Sequence, residues 1–383
     1  MLIQCTKKLL DELNIKPVLD VEEEPLFSWH ANLITLSRKK TVVLVNDKNR
    51  YIVVLHGLKK SDFKKIDELI IKAIRESFLD ECIKNDIIDE FIDHSKEIVY
   101  TKTKDKTSVA RMNKSCEPLG YYKEPLCNES IVQCALCKKV NRFLVGNGKD
   151  YITPSEELFK DLEALSGKSI FSCRALVLKV KLDLENYNVW RRIAVPINIK
   201  FNNLHNILQA TFGWKNYHLH EFYIYENELD DNFHNDIFIN HPAYNKEGYR
   251  PVVNLVDSEE AFEYPKEIEM KLERNIKLSE YIPKYKRMKY NYDFGDNWQH
   301  IIEVEEVIED YDKNYSICLE GEGNTPPEDV GGEGGYEEFL KIIDDNSHPE
   351  HKSMLAWGES QGYRNFDIEM VNRELKSGYR MSW

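Results

Sequence analysis

Two parts of the chain carry regular patterns of apolar and polar residues. In the first part, alternation over residues 33–47 and again over residues 50–58 predicts two strands joined by a short turn. Residues 61–83 begin with a Ser-Asp cap and then place apolar side chains three and four positions apart, which predicts a helix. A second helix and a further strand follow, so residues 1–115 are expected to form a small α+β domain.

The second patterned part extends over residues 171–383. Its first half predicts three strands and one helix, over residues 174–183, 189–196, 218–225 and 202–214 respectively. An irregular stretch is expected over residues 226–254, and helical segments are expected near the end of the chain. The predicted fold class is therefore α+β with two domains, the C-terminal one holding an antiparallel or mixed sheet flanked by helices.

The segment YNYDFGDNWQHIIEVEEV, residues 290–307, alternates like a strand at both ends but not in its middle. Asp293, Gly295 and Asp296 are residue types that strands avoid. One interpretation is a tight turn capped by the two aspartates, with Trp298 in the core and His300 at a strand edge. The alternative is that Asp296 and His300 share a face and act as catalytic groups or metal ligands.

Composition and charge narrow the classes of function. Hydrophobic residues make up 42% of the chain and aromatic residues 11%, which favours packed cores over disorder. The net charge of −14 opposes nucleic-acid binding outside a local basic patch. No stretch reaches the roughly 18 apolar residues of a membrane span, and the first residues lack the apolar core of a signal peptide. We therefore expect a cytoplasmic protein without membrane contact.

Residues 116–170 separate the two patterned parts and hold four of the eight cysteines, namely Cys116, Cys127, Cys134 and Cys137. Because a cytoplasmic location disfavours disulfides, four thiolates in one loop-rich segment suggest a structural zinc site in a connector between the domains. The first pair is spaced more widely than in a zinc ribbon. Free buried thiols are the alternative.

His218 and His220 lie two residues apart in a predicted strand, so their side chains are expected on one face. Two imidazoles on one face can bind a divalent metal when a carboxylate from another element completes the set. Asp296 and His300 are the candidate partners for them. An ordinary pair of strand residues is the alternative interpretation.

A loop rich in glycine and proline, within residues 318–343, is also strongly acidic. Glycine-rich loops often hold phosphates, but carboxylates such as Glu328 and Asp329 repel phosphate unless a cation lies between them. The spacing matches neither a Walker loop nor an EF-hand. The loop therefore suits a cation, a cationic ligand or a basic partner peptide, or it serves only as an ordered connection to the next helix.

Arg191 and Arg192 lie together in a predicted strand. One of them is expected to pair with the acidic loop, because a buried guanidinium needs a carboxylate. The alternative is that Arg191, Arg192 and Trp298 contact an anionic ligand.

Five blocks of the second part follow one another along the chain: VWRRIAVP, LHNILQATFGWKNYHLHEFYIY, YNYDFGDNWQHIIEVEE, CLEGEGNTPPEDVGGEGGYEEFLKII and FDIEMVNREL. Together they resemble the plasmid pRiA4b ORF-3-like family, sometimes labelled a transposon passenger of TnpR type. The first part resembles a separate family of small uncharacterised domains through IQCTKKLLDEL, WHANLITLSRKKTVVLVND and YTKT. The resemblance implies an association with mobile elements but no established activity.

Two functions from different classes fit these features. The first is a binding or interaction module, whose cleft is formed by HLHEF, DFGDNWQH and the acidic loop and which recognises a protein, a peptide or a small ligand. The second is a metal-dependent hydrolase, either a nuclease or a phosphodiesterase. In the hydrolase the ion ligands are His218, His220, Asp296 and His300, and the base is Glu328 or Asp329. The residues alone do not decide whether the protein is an enzyme.

Overall fold

The structure is a computed structural model that describes residues 1–381, except for residues 20, 95–96, 122–125, 128, 230–240 and 265. The chain divides into two compact units. The first consists mainly of Met1–Ser172, and the second mainly of Cys173–Tyr311 and Tyr315–Tyr379. Helices and strands occur in both units, which confirms the predicted α+β class.

A sheet of five strands forms the middle of the first unit. The strands are β1 (Leu2–Cys5), β2 (Ser28–Leu36), β3 (Lys39–Asn46), β4 (Ile52–His56) and β5 (Val99–Lys102). Their order is β4-β3-β2-β1-β5. Strands β2, β3 and β4 are antiparallel, whereas β1 pairs in parallel with both β2 and β5.

The single strand predicted over residues 33–47 is in fact the end of β2, a turn and β3. Ser37 and Arg38 form this turn, and both have positive φ angles of 47° and 63°. Serine occurs often in turns, but neither Ser nor Arg is among the types, Gly, Asn and Asp, that favour positive φ angles. The sequence pattern therefore ran through the turn without a break.

The first unit also contains helices and a small hairpin. They are α1 (Lys7–Leu13), α2 (Ile66–Asp80), α3 (Asn85–Asp93), α4 (Lys106–Cys116), α5 (Cys134–Val140), β6 (Val145–Asn147), β7 (Asp150–Ile152) and α6 (Pro154–Ser166). Helix α2 buries the apolar stripe that predicted it, including Ile70, Ile74 and Phe78. It begins later than predicted because Asp62–Lys65 form a 3-10 turn.

Residues 116–170 pack on the first unit through apolar contacts. Leu136, Cys137 and Val140 of α5 share a core with Val43 and Val54 of the sheet. The Val54 N–H also donates a hydrogen bond to Cys137 Sγ at 3.2 Å. Burial of apolar side chains thus attaches this segment to β3 and β4.

A larger mixed sheet of eight strands forms the second unit, as predicted. The strands are β8 (Cys173–Leu182), β9 (Val189–Pro196), β10 (His220–Leu229), β11 (Tyr249–Val256), β12 (Met270–Leu272), β13 (Arg287–Tyr292), β14 (Trp298–Tyr311) and β15 (Ile317–Glu322). Their order is β12-β11-β10-β13-β14-β8-β9-β15. The pair β11–β12 is parallel, and the other neighbouring pairs are antiparallel.

Helices cover this sheet and complete its core. They are α7 (Phe201–Phe212), α8 (Gly332–Asp344), α9 (His351–Ser360) and α10 (Ile368–Met381). Helix α7 places Leu204 and Leu208 against Tyr290 and Ile302 of the sheet, and α8 adds Phe339 to the same core. The packed face of β13 and β14 thus leads directly to the turn that joins them.

Strand β11 lies within the stretch of residues 226–254 that was predicted to be irregular. A proline inside a segment argues against a strand, and Pro251 lies in β11 opposite Tyr225. The pairing of β10 with β11 is irregular on both sides of Tyr225, which accommodates the proline. Residues 230–240 of the predicted stretch lie outside the described residues.

Candidate metal centre

The polar interruption within residues 290–307 is a tight turn between β13 and β14. Asp293 Oδ1 accepts hydrogen bonds from the N–H groups of Gly295 at 2.9 Å and Asp296 at 3.2 Å. Asp293 and Asn297 have φ angles of 55° and 57°, which Asp and Asn tolerate better than most residues. The turn thus uses one carboxylate oxygen of Asp293, and the other oxygen faces His218.

His218 lies just before β10, and contacts of its two neighbours fix its position. The Tyr217 N–H donates to the hydroxyl of Tyr292 at 3.1 Å. The Leu219 carbonyl accepts a hydrogen bond from the Asp293 N–H at 3.0 Å. These contacts place the imidazole beside the turn, with Nε2 at 3.5 Å from Asp293 Oδ2.

The acidic loop between β15 and α8 is anchored on the protein interior. The buried guanidinium of Arg191 donates to the carbonyls of Glu322 at 2.7 Å and Gly323 at 3.0 Å. Trp214 Nε1 donates to the carbonyl of Pro326 at 3.0 Å. The loop is therefore held at its start and in its middle, directly before its two carboxylates.

Those two carboxylates, Glu328 and Asp329, reach His218. Asp329 Oδ1 lies 3.0 Å from His218 Nε2, and Glu328 Oε2 lies 3.8 Å from the same atom. The other oxygen of Glu328 accepts hydrogen bonds from the Lys215 N–H at 2.7 Å and the Tyr292 hydroxyl at 3.0 Å. Glu328 is completely buried, so its free oxygen is held in one position.

One buried atom of this centre is not satisfied by the protein alone. Among the described residues, Glu328 Oε2 has no hydrogen-bond partner, and it is shielded from water. Burial raises the pKa of Glu328, while its hydrogen bonds and the nearby His218 oppose that rise. An unpaired buried acceptor costs about 1–3 kcal/mol, so a group bound to this oxygen would relieve a penalty.

The geometry suits a metal ion. His218, Asp293 and Asp329 each offer one ligand atom, and these atoms lie within 4.8 Å of one another. Metal bonds to nitrogen and oxygen ligands are about 2.0–2.6 Å long, so the ligands of one ion lie a few ångströms apart. In the described part of the chain, no other group of three histidines, cysteines or carboxylates is spaced this way. Glu328 Oε2 is positioned to be a fourth ligand.

Asp296, predicted as a catalytic residue, contacts the start of α8 instead. Its Oδ2 accepts a hydrogen bond from the Gly331 N–H at 3.0 Å. Because β14 begins only at Trp298, Asp296 lies in the turn, and strand alternation does not direct its side chain. The contact makes Asp296 a positioning residue for the end of the acidic loop.

His300 is a core residue, which corrects its expected place beside His218. It is completely buried, and its ring packs edge-on against Phe212 and Trp214. Its Nδ1–H donates to the carbonyl of Tyr290 at 3.2 Å. Burial lowers the pKa of His300 to about 3, so the ring is neutral.

His220 belongs to a separate buried pair. Its Nε2 lies 3.0 Å from Glu273 Oε1, and its ring stacks on His205 with centroids 3.5 Å apart. Burial lowers the pKa of His220 to about 4 and raises the pKa of Glu273 to about 7. His218 precedes β10, so strand alternation does not place the side chains of His218 and His220 on the same face.

The three residues predicted to bind a ligand do not line the centre. Trp298 is buried in the core near Trp214. Arg192 pairs with Glu305 at 2.6 Å and with Glu320, but its side chain is partly exposed. The buried Arg191, which was expected to need a carboxylate, instead donates hydrogen bonds to two loop carbonyls and to Thr325 Oγ1.

The four cysteines of residues 116–170 are not gathered into a zinc site. Within the described residues, no three of their thiols lie within metal-ligand reach of one another. Cys127 is exposed, while Cys137 is buried in α5. Burial raises the pKa values of Cys116 and Cys134 to about 12, so these groups are neutral thiols.

Asp293 is the candidate ligand that the sequence pattern assigned only to the turn. The register of β10 and β13 pairs His220 with Tyr292. Continuing that antiparallel register two residues further sets His218 beside the turn that follows Tyr292. The pairing of the two strands, rather than the spacing within either, is the signal that identifies Asp293.

The second unit is thus an α+β domain with a His-carboxylate centre at the ends of the central strands β10 and β13 of a mixed sheet. The plasmid pRiA4b ORF-3-like protein family matches residues 174–375, just over half of the chain, and the chain belongs to this family. A domain of unknown function (DUF6933) matches residues 2–157. Both matches confirm the two resemblances found in the sequence.

Individual relatives match about half of the chain. The chain is 34% identical over 188 residues to uncharacterized protein y4hQ of Sinorhizobium fredii, covering 49% of this chain and 81% of that protein. It is also similar to the crystal structure of a protein of unknown function, MM3350, from Methanosarcina mazei Go1. That similarity has 30% identity and a TM-score of 0.40, and covers 52% of this chain and 97% of the other.

Within the described residues, no helix combines the length and the apolar character that a bilayer span requires.

Proposed function

We propose that the second unit is a binding module that works through a divalent cation held by His218, Asp293, Glu328 and Asp329. One observation carries this proposal. Three carboxylates from two loops converge on one imidazole, and the buried Glu328 Oε2 has no hydrogen-bond partner among the described residues. A cation would satisfy this atom and offset the repulsion between the carboxylates.

The donor set favours a transition metal. Carboxylate oxygens alone suit Mg²⁺ and Ca²⁺, whereas an imidazole nitrogen suits Zn²⁺ and Fe²⁺, and Mn²⁺ accepts both kinds of ligand. One nitrogen and three oxygens therefore fit Mn²⁺, Fe²⁺ or Zn²⁺ best. This preference is testable by comparing the affinities of the protein for Mn²⁺ and Mg²⁺.

The outer side of the centre is suited to a ligand. His218 and Asp329 have side-chain exposures of 29% and 51%, so a bound ion would keep open positions on that side. Tyr217, Leu219 and Phe294 adjoin the centre in the chain and are more than half exposed. A small ligand or peptide with a carboxylate beside an apolar group matches an ion bordered by such side chains.

Calorimetric titration of chelator-treated protein with Mn²⁺ tests the proposal. Asp293→Asn and His218→Gln each remove one ligand and are expected to weaken Mn²⁺ binding at least about tenfold. Asp296→Asn is the matched control, because it removes an equal charge from the same turn but keeps an acceptor for the Gly331 N–H. Equal affinities for wild type, Asp293→Asn and Asp296→Asn would rule out the site.

A metal-dependent hydrolase is the second candidate, and the open side of the centre favours it. An ion with free positions can bind a water and lower its pKa. Assays with bis(p-nitrophenyl) phosphate and with single-stranded DNA in the presence of Mn²⁺ separate the two functions. Turnover that is lost in Asp293→Asn but kept in Asp296→Asn would favour the hydrolase, and Mn²⁺ binding without turnover favours the binding module.

A further inference from the structure

Each of the three residues directly before His218 donates its backbone N–H to a buried side chain of the second unit. Lys215 and Tyr217 make these contacts within the candidate metal centre itself. The contact between them lies outside the centre, because the Asn216 N–H donates to Gln209 Oε1 of α7 at 2.8 Å. The segment that leads to His218 is therefore attached to the protein interior at every residue.

The side chain of Asn216 is bound as well as its backbone. Its Oδ1 lies 2.8 Å from Nε2 of His205, which is buried in α7. Asn216 has a left-handed φ angle of 57°, which asparagine tolerates better than most residues. Two side chains of one helix thus hold a turn residue that lies two positions before His218.

One order of donors and acceptors satisfies the buried groups behind Asn216. Because Gln209 Oε1 accepts the Asn216 N–H, Gln209 Nε2 is free to donate to the Tyr290 hydroxyl at 3.0 Å. The proton of that hydroxyl then goes to His205 Nδ1 at 2.8 Å. The His205 proton is therefore on Nε2, where Asn216 Oδ1 accepts it.

The ring of His205 is fixed in this arrangement. It stacks on the ring of His220 with centroids 3.5 Å apart, and His205 is only 3% exposed. Burial lowers the pKa of His205 to about 3, so the ring is neutral and has one donor and one acceptor. Both nitrogens are used in the chain of hydrogen bonds, which leaves one tautomer.

We infer that Asn216 is a positioning residue for His218, and that Tyr290 and His205 hold Asn216 in place. The inference rests on the proposed function, in which His218 is a ligand of the cation. A ligand with a rigid support loses little conformational freedom when the ion binds, so the support raises the affinity without any contact with the ion.

Asn216→Gly tests the inference, because glycine adopts the left-handed φ angle but lacks the side-chain acceptor. The loss of a supporting contact of a metal site typically costs about 10–100-fold in affinity. Asn216 acts one step further from the ion, so we expect Mn²⁺ to bind about three- to tenfold more weakly in calorimetric titration.

Ile207→Val is the matched control for that variant. It removes one carbon from the buried side of the same helix, and no hydrogen bond is lost. Both substitutions are expected to lower the free energy of unfolding by about 1 kcal/mol, which urea denaturation measures. Only Asn216→Gly is expected to change the affinity for Mn²⁺ by more than about twofold.

Tyr290→Phe acts from the other end of the chain of hydrogen bonds. It removes the hydroxyl that sets the tautomer of His205 and leaves the side chains of Asn216 and His218 unaltered. The ¹⁵N resonances of His205 should then report a proton shared between both nitrogens, and Mn²⁺ should bind more weakly than to the wild type. A single unchanged tautomer together with unchanged affinity would remove Tyr290 and His205 from the inference.

Nuclear magnetic resonance on the metal-free protein separates this inference from the proposed function. The rings of His218 and Tyr292 have centroids 5.9 Å apart, so the nuclear Overhauser effect between them reports the position of His218. Asn216→Gly should weaken this effect, and Ile207→Val should not.

The inference is overturned if the effect is equally strong in the wild type and Asn216→Gly, or if Asn216→Gly and Ile207→Val reduce Mn²⁺ affinity equally. A wild-type chain that does not bind Mn²⁺, but in which Asn216→Gly still displaces His218, would refute the proposed function and leave the role of Asn216 in place.

Discussion

Both units place histidine beside aspartate, but they use the imidazole in opposite ways. His218 turns Nε2 toward three carboxylates of the second unit. His30 binds one carboxylate through Nδ1, and its Nε2 has no hydrogen-bond partner among the described residues. The same residue types therefore form a cluster of carboxylates around an imidazole in one unit and a single His-Asp pair in the other. The charges around the imidazole, rather than the imidazole itself, set the class of ligand.

The buried pair of His220 and Glu273 is a third arrangement and clarifies the first two. Here one carboxylate meets one imidazole in the interior, with Glu273 at 3% and His220 at 6% exposure. Burial moves both pKa values toward the neutral forms. Such a pair shares a proton and offers no net charge to a ligand, so the additional carboxylates and the partly exposed His218 and Asp329 distinguish the candidate metal centre from it.

The largest expected effect comes from Arg191→Met, which would disrupt the candidate metal centre of the second unit. The substitution removes the donors that bind the Glu322 and Gly323 carbonyls. We expect the free energy of unfolding to fall by about 3–5 kcal/mol and Mn²⁺ binding to be lost. Urea denaturation and calorimetry measure these outcomes.

Arg192→Met is the control for that experiment. Arg192 pairs with two carboxylates on the surface, so its loss should cost about 1 kcal/mol or less. Equal losses of stability in the two variants would contradict a special role for Arg191.

The next effect concerns pH and tests the neutral pair. Because the pKa of Glu273 is raised to about 7, the folded protein keeps a proton that the unfolded chain releases near pH 4.5. This group therefore removes stability as pH rises from about 4.5 to about 7, by an amount on the order of 2–3 kcal/mol. Glu273→Gln should gain stability relative to wild type across that window.

Denaturation curves of both proteins between these pH values measure that difference. The pKa of His220 is lowered to about 4, which adds stability as pH rises, but both proteins keep this histidine. The difference between the two curves therefore reports Glu273 together with its coupling to His220. A difference that does not vary with pH would show that the carboxyl is already ionised.

Asp47→Asn tests the contact that orients His30 in the first unit, and a smaller effect is expected. The variant keeps the shape of the side chain but loses the charge that holds the His30 proton on Nδ1. A loss of about 1–2 kcal/mol in unfolding free energy is expected, together with a change in the ¹⁵N shifts of His30 that reports the mixed tautomers. Asp89→Asn, which breaks an exposed contact to Arg75, serves as the control. An unchanged tautomer would mean that Asp47 does not orient the ring.

The smallest effect is the dependence of cation affinity on pH. Because burial raises the pKa of Glu328, protons compete with a cation for its free oxygen as the pH falls. Mn²⁺ should therefore bind progressively more weakly in the wild type as the pH falls toward the ordinary glutamate pKa of 4.5, and Glu328→Gln should reduce this dependence. A variant with the wild-type pH dependence would remove Glu328 from the ligand set.

Periodicity predicted the parts of the fold in which one face is buried. Helix α2 and the alternating ends of residues 290–307 formed as expected, because burial of an apolar face determines both patterns. The Ser37–Arg38 turn and strand β11 escaped prediction. The residue types in these two segments do not indicate the backbone conformation that tertiary contacts impose on them.

The candidate centre could be predicted only in part, for a related reason. His218, Glu328 and Asp329 were named from the chemistry of their segments, and they lie together. Alternation was extended across the turn at Asp293, so it directed attention to Asp296 and His300 instead. A turn of five residues resets the phase of the side chains, and no local pattern carries through it.

The backbone of the acidic loop has a consequence for the speed of binding. Asp329, Gly331 and Gly332 all have left-handed φ angles, and a side chain at Gly335 would come within 1.9 Å of the Val330 carbonyl. The conformation of the loop is thus fixed without a bound ion, and its oxygens would not have to move to bind one. The rate of capture would then depend on how fast the ion releases its hydration water rather than on movement of the protein.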